Sequence, residues 1–257
     1  MTRLAILLLV AVPLEDPAPA PAEPPRAAKV IAAVAKAARE NAALPAEKRL
    51  DGDALGDAYF RAAAGAAGED GRAFLIGLAH AIDPDSTLAR HPLTAAAVKG
   101  LETAEELAAR RRDLGKPSLR GRRDLLLHFA VSAAVAAIAG GPMAEAGGIA
   151  KEVVDAKPGG TGFSFADLLA DLAGVRFAAW IAAEPKARVA KAAADFRGAD
   201  FCPDPAGQPE GLDAEAFAKE FGSTTDERFK KKVAALRASV EELAIYRPAP
   251  SANDGKR

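Results

Sequence analysis

Residues 124–142 read DLLLHFAVSAAVAAIAGGP, and this stretch decides the fold. From Leu125 to Ala139 only His128 and Ser132 interrupt an apolar run. Asp124 and His128 are four residues apart, so in a helix they fall on one face. The run shows no period-two alternation, and much of it is Ala, which loses no side-chain entropy on becoming helical. Gly140-Gly141-Pro142 stops the run, and Pro142 suits the first turn of a second helix, from about Met143 to Ala156. Lys157 to Gly162 reads as a turn. Ser164-Phe165-Ala166-Asp167 then has capping-box spacing and opens a third helix, which ends near Ala183 ahead of Pro185.

Working outward, helical periodicity continues on both sides. Ala27, Val30, Ile31, Val34 and Ala38 form one apolar stripe. Leu55–Ala67 and Arg72–Ile82 read as two more helices, the latter ended by Pro84. A charged helical stretch from Thr94 to Leu114 breaks at Gly100, where Thr103 and Glu106 have the spacing of a capping box. On the C-terminal side, helices are expected over Lys186–Phe196, Asp213–Phe221 and Thr225–Ile245, with Thr224 and Glu227 again at capping-box spacing. No segment alternates long enough for a strand. The fold expected is all-α, a helical bundle-like domain with a central three-helix motif. The chain divides into a leader (1–22), a Pro-rich spacer (23–26), an N-terminal helical region (27–114), the central motif region (115–184), a C-terminal helical region (185–247) and a disordered tail (248–257).

The 257-residue chain is 50% hydrophobic but only 5% aromatic, with a formal charge of −1. That balance gives no global pull toward nucleic acid, which is excluded as a partner. The one Cys, Cys202, excludes a disulfide framework. A small aromatic complement predicts a core of modest hydrophobic area. Arg3, the short apolar run Leu4–Val12 and the small residues Ala20-Pro21-Ala22 match a secretory signal peptide. Export to the periplasm or cell envelope follows. The run is too short for a span, which needs about 20 apolar residues. Arg110, Arg111, Arg112, Lys116, Arg120, Arg122 and Arg123 precede the central apolar run and suggest contact with an envelope protein or an anionic membrane surface.

Polar residues stand out against the apolar background of the central motif. His128 lies on the first helix, Glu152 and Asp155 on the second, and Asp167 and Asp171 on the third. The pattern Asp124-x3-His128-Phe129, then Gly148-x2-Lys151-Glu152-x2-Asp155, then Gly162-Phe163-x3-Asp167-Leu168-x2-Asp171-x2-Gly174 resembles the YfiM-like family of bacterial envelope proteins. More distantly, it is similar to VanZ-like membrane proteins. The likeness covers roughly fifty residues and implies an envelope location without a settled reaction. The chain departs from lipoprotein-like members in having no Cys near its start.

Two kinds of chemistry compete for these residues. An imidazole with several carboxylates suits Zn, Mn or Fe, with His128, Glu152, Asp155 and Asp171 as candidate ligands. The same groups, with Asp167, are candidates for general acid and base in a hydrolase. Neither the His-Glu-x-x-His spacing of zincins nor a Gly-x-Ser-x-Gly nucleophile motif accompanies them. The favoured expectation is therefore a polar network that fixes helix packing in a non-enzymatic envelope protein, with no cofactor required. Asp167 then serves as the acidic half of its capping box. A metal-dependent or His/carboxylate hydrolase is the alternative.

Overall fold

The computed structural model describes residues 25–247, and every regular element among them is helical. The leader, residues 23 and 24 of the spacer, and the tail lie outside the described residues. The first helix, α1, spans Pro25–Ala43, so Pro25 and Arg26 begin a helix instead of ending an extended spacer. Proline is suited to that position because the amide it lacks would have no intrahelical partner. The anticipated stripe of Ala27, Val30, Ile31, Val34 and Ala38 is buried in full.

Helices α2 (Gly52–Ala67) and α3 (Gly71–Ile82) pack with α1 into the first half of the bundle. The Asp70 side chain caps α3 by accepting from the Ala73 amide. Gly77 of α3 lies so close to α1 that a Cβ there would come within 2.6 Å of Val30. The charged stretch after Pro84 is less continuous than its periodicity suggests. It contains the short α4 (Thr87–Arg90) and α5 (Ala95–Val98), then α6 (Ala104–Asp113), whose Thr103/Glu106 capping box is made on both sides.

The central motif consists of α7 (Arg123–Ala139), α8 (Gly141–Asp155) and α9 (Phe165–Ala183). α7 packs against α9 and, on its other side, α3, so the most apolar run in the sequence is a core helix. At Gly174 a Cβ would fall 2.1 Å from the Phe129 carbonyl oxygen, so the α7 and α9 backbones are in contact there. Most of α9 is buried, whereas α8 buries only Ala144 and Glu152. The remaining helices, α10 (Pro185–Asp195), α11 (Ala214–Phe221) and α12 (Glu227–Glu241), close the bundle. α10 lies against α2 and α12 against α9, and one hydrophobic cluster runs through all the helical regions. At α12 the cap differs from the expected Thr224/Glu227 box. Asp226 accepts from the Arg228 amide, and the helix starts two residues late.

The core is more aromatic than the composition implies, because none of the eleven Phe residues is spent on the surface. Phe60 stacks on Phe196 at 4.0 Å and touches Phe74, Phe129 and Phe177. A second cluster joins Phe163, Phe165, Phe217, Phe221 and Phe229 under the C-terminal helices. Among the described residues no helix is long and apolar enough to cross a membrane.

Candidate functional site: an interhelical histidine and carboxylate cluster

Helices α7, α8 and α9 bring four of the five candidate residues together. His128 and Ser132, one turn apart on α7, both reach Asp171 of α9. The His128 Nδ1 lies 3.0 Å from Asp171 Oδ1, and the Ser132 hydroxyl donates to the same oxygen at 2.6 Å. The second ring nitrogen, Nε2, points to Asp167 Oδ2 at 3.5 Å. Gly148 of α8 makes room for Asp171, because a Cβ there would sit 2.7 Å from Asp171 Oδ2. That oxygen is buried and has no hydrogen-bond partner among the described residues.

Glu152 enters from α8 and is fully buried. Its Oε2 accepts from the Ser164 backbone amide at 2.9 Å, and its Oε1 from Lys151 Nζ at 3.0 Å. This arrangement corrects the capping box expected at the start of α9. The Ser164 hydroxyl does cap the Asp167 amide, but the reciprocal bond to the Ser164 amide comes from Glu152, twelve residues upstream. The Asp167 carboxylate is thereby released from the cap and faces His128 and, at 3.4 Å, Arg122.

Asp155 is the candidate that the fold does not bring in. It pairs with Lys151 at 2.7 Å near the surface, one turn beyond Glu152. Asp124 is half exposed at the rim and held by Arg122, which also grips Glu210. The group with metal-like spacing is therefore His128, Glu152 and Asp167, which each offer one ligand atom within 4.8 Å of the others. Asp171 stands behind the histidine instead of beside the other ligands.

The electrostatics follow from burial against partners. Burial disfavours the imidazolium of His128, but the hydrogen bond and charge of Asp171, with Asp167 behind, outweigh it and raise the His128 pKa. Burial raises the Glu152 pKa against the pull of Lys151 and the Ser164 amide. Asp167 is raised by burial too, against His128. Mechanically the cluster ties three helices together. Chemically it presents a histidine of fixed orientation to two carboxylates whose ionisation is resisted.

Other residues singled out from sequence have structural duties. Cys202 is buried and its thiol is pushed up to about 12, far from a usable nucleophile. The Gly159–Gly162 segment is a tight turn: the Gly162 amide bonds the Asp155 carbonyl, and a Cβ at Gly162 would strike Gly211. Much of the basic cluster over 110–123 is used internally. Arg120 donates to the Ala199 and Cys202 carbonyls, while Arg122 is occupied as above. Arg110 is buried and paired with Glu102.

That last pair belongs to a second polar cluster which sequence reasoning missed. His80 Nε2 lies 2.8 Å from Glu102 Oε1, the Arg110 guanidinium takes both Glu102 oxygens, and it also donates to the Ala81 carbonyl. Nearby Asp83 has a separate duty and caps the following turn by accepting from the Asp85 and Thr87 amides. Two surface grooves lie away from the three-helix cluster. One, about 370 Å³ and apolar, is lined by Leu75, Ala136, Val175 and Ile181, and the other, about 480 Å³, by the Gly159–Gly162 turn and Asp213. Comparison with family models, curated proteins and solved structures finds no match to this chain.

Proposed function

We propose that this chain is an exported, envelope-associated helical protein with a structural or interaction role, its central motif serving as a rigid platform. The observation that carries this reading is the outer face of α8. Met143, Val153 and Val154 are exposed there, beside Ala146, Gly147 and Ala150, while the inner face is pinned by Glu152. A helix that leaves so many apolar residues exposed along one face is organised for contact with another envelope component. The signal-like start and the YfiM-like motif support the location. The exposed Arg111, Lys116 and Arg123 of the basic cluster remain available to an acidic partner or an anionic surface.

The alternative, a metal-dependent or His/carboxylate hydrolase, draws on the fixed orientation of His128. Against its metal-free form, the Ser132 hydroxyl donates to Asp171 and is not poised for activation by the imidazole. Two measurements test the leading reading. Fractionation of cells expressing the full chain is expected to place it outside the cytoplasm, and retention there overturns the envelope role. Met143→Glu with Val154→Glu is expected to leave the melting temperature unchanged and to abolish site-specific crosslinks formed from Ala150. Crosslinking that survives both changes removes α8 as the contact surface.

A further inference from the structure

We propose that His128, Glu152 and Asp167 form a binding site for a divalent transition-metal ion, Zn²⁺ in preference to Mn²⁺ or Fe²⁺, with Asp171 as the residue that positions the histidine. The inference goes beyond the interaction role and stands independently of it.

Geometry is the first support. Ligands around a tetrahedral zinc at about 2.0–2.2 Å lie roughly 3.3–3.6 Å from one another. The His128 Nε2 to Asp167 Oδ2 separation of 3.5 Å already has that value. The carboxylate of Glu152 completes a triangle no wider than 4.8 Å. Three protein ligands leave a fourth position for water, on the side where His128 and Asp167 reach the surface, 11% and 15% exposed.

The tautomer is the second support. Metal-bound histidines usually donate the other ring N–H to a carboxylate, which fixes the ring and raises its basicity. Asp171, with its side chain only 4% exposed, occupies that place at Nδ1 and leaves Nε2, 3.5 Å from Asp167 Oδ2, as the nitrogen for the ion. Ser132 holds the same Asp171 oxygen in turn, so the orienting group is itself oriented.

Charge is the third. Six carboxylates, Asp124, Glu152, Asp155, Asp167, Asp171 and Glu210, draw on two permanent cations in their contacts, Lys151 and Arg122, together with His128. Asp171 keeps a buried oxygen without a hydrogen-bond partner among the described residues. A divalent ion supplies the missing positive charge. Lys151, half exposed and already bonded to Asp155, can release Glu152 Oε1 without losing its other contact. One imidazole and two carboxylates suit Zn²⁺, Mn²⁺ and Fe²⁺ alike, and the Irving–Williams order ranks Zn²⁺ the tightest of the three.

The test is metal analysis and calorimetric titration with Zn²⁺ on the full chain purified without chelator, then stripped. One ion per chain is expected, with a Co²⁺ derivative showing the visible absorption of a tetrahedral site. His128→Ala and Asp167→Asn are each expected to weaken Zn²⁺ binding by more than about tenfold, and Asp171→Asn by about tenfold while shifting the Co²⁺ spectrum. His91→Ala, at an exposed histidine, is expected to bind as the wild type does. Circular dichroism confirms that each variant is folded; if Glu152→Gln does not fold, the two less buried ligands still decide. No stoichiometric Zn²⁺ in the wild type, or equal affinity in His128→Ala and Asp167→Asn, overturns the site and leaves the interaction role standing.

Discussion

Asp171 Oδ1 meets His128 Nδ1 at 3.0 Å across the interface between α7 and α9, and this contact sets both the orientation and the charge of the histidine. Burial alone would lower the His128 pKa, and Asp171 reverses the sign. Asp171→Asn keeps an oxygen acceptor and removes the charge. The His128 pKa is then expected to fall below its ordinary 6.5, read by NMR titration of the ring protons. Because the folded-state pKa is raised, its stabilising contribution is complete below the unfolded value and is lost as pH rises through the folded one. The substitution should therefore cost most below pH 6.5, about 1–3 kcal/mol, and less in alkaline buffer. A cost that does not vary with pH would show that the pair acts as a neutral hydrogen bond.

Backbone proximity gives a second prediction. Gly174 faces the Phe129 carbonyl, and a Cβ placed there would lie 2.1 Å from that oxygen. Backbone cannot rotate away as a side chain can, so Gly174→Ala must separate α7 from α9 and is expected to cost at least about 2–3 kcal/mol in chemical denaturation. Gly147→Ala, on the open face of α8, meets nothing within 4 Å and should stabilise by about 0.5–1 kcal/mol through helix propensity. Similar effects at the two positions would contradict the close helix contact.

These two contacts show what the sequence could and could not reveal. The helices were legible because apolar period and breaker residues act locally: the α1 stripe is buried in full, and Thr103 with Glu106 caps α6. The convergence of His128, Asp167 and Asp171 was legible as shared faces on neighbouring helices. The role of Asp167 was not. Its position fits a capping box, and only the fold reveals that Glu152 takes the Ser164 amide and frees the Asp167 carboxylate. Arg110 was hidden for a related reason: within a charged run it looks solvated, yet Glu102 and the Ala81 carbonyl satisfy it in the interior. Composition also understated the core, because a count of Phe residues says nothing about how many are buried.

Glu102 supplies a pH prediction. Burial works against its ionisation, but hydrogen bonds from His80 and Arg110 and the charge of Arg110 outweigh it, lowering the pKa from 4.5 to about 2. A depressed carboxylate contributes stability that is complete above the unfolded pKa and is lost as pH falls through the folded one. Wild-type stability is thus expected to decline between pH 4.5 and 2, with at most about 2–3 kcal/mol from this group. Glu102→Gln should flatten that part of the profile. At pH 7 it should cost about 3–5 kcal/mol, because the Arg110 charge is left buried without its carboxylate. Urea midpoints measured from pH 7 to 3 check both statements, and an acid slope unchanged in the variant would assign the transition to other carboxylates.

The aromatic core carries the last prediction. Phe60 of α2 contacts Phe129 of α7, Phe177 of α9 and Phe196 just beyond α10, so one ring joins the first half of the bundle to the central motif. Phe60→Ala removes a side chain that is 1% exposed and is expected to cost about 3–5 kcal/mol, the cavity adding to the lost transfer energy. Phe60→Leu retains much of the volume but loses the ring stacked at 4.0 Å on Phe196, and should cost about 1–2 kcal/mol. If the two halves depend on this ring for their mutual packing, Phe60→Ala should also speed hydrogen exchange in α7, although its sequence position is far from Phe60. Faster exchange confined to α2, with α7 as protected as in the wild type, would mean that the α3 and α7 contact holds the halves together without the aromatic cluster.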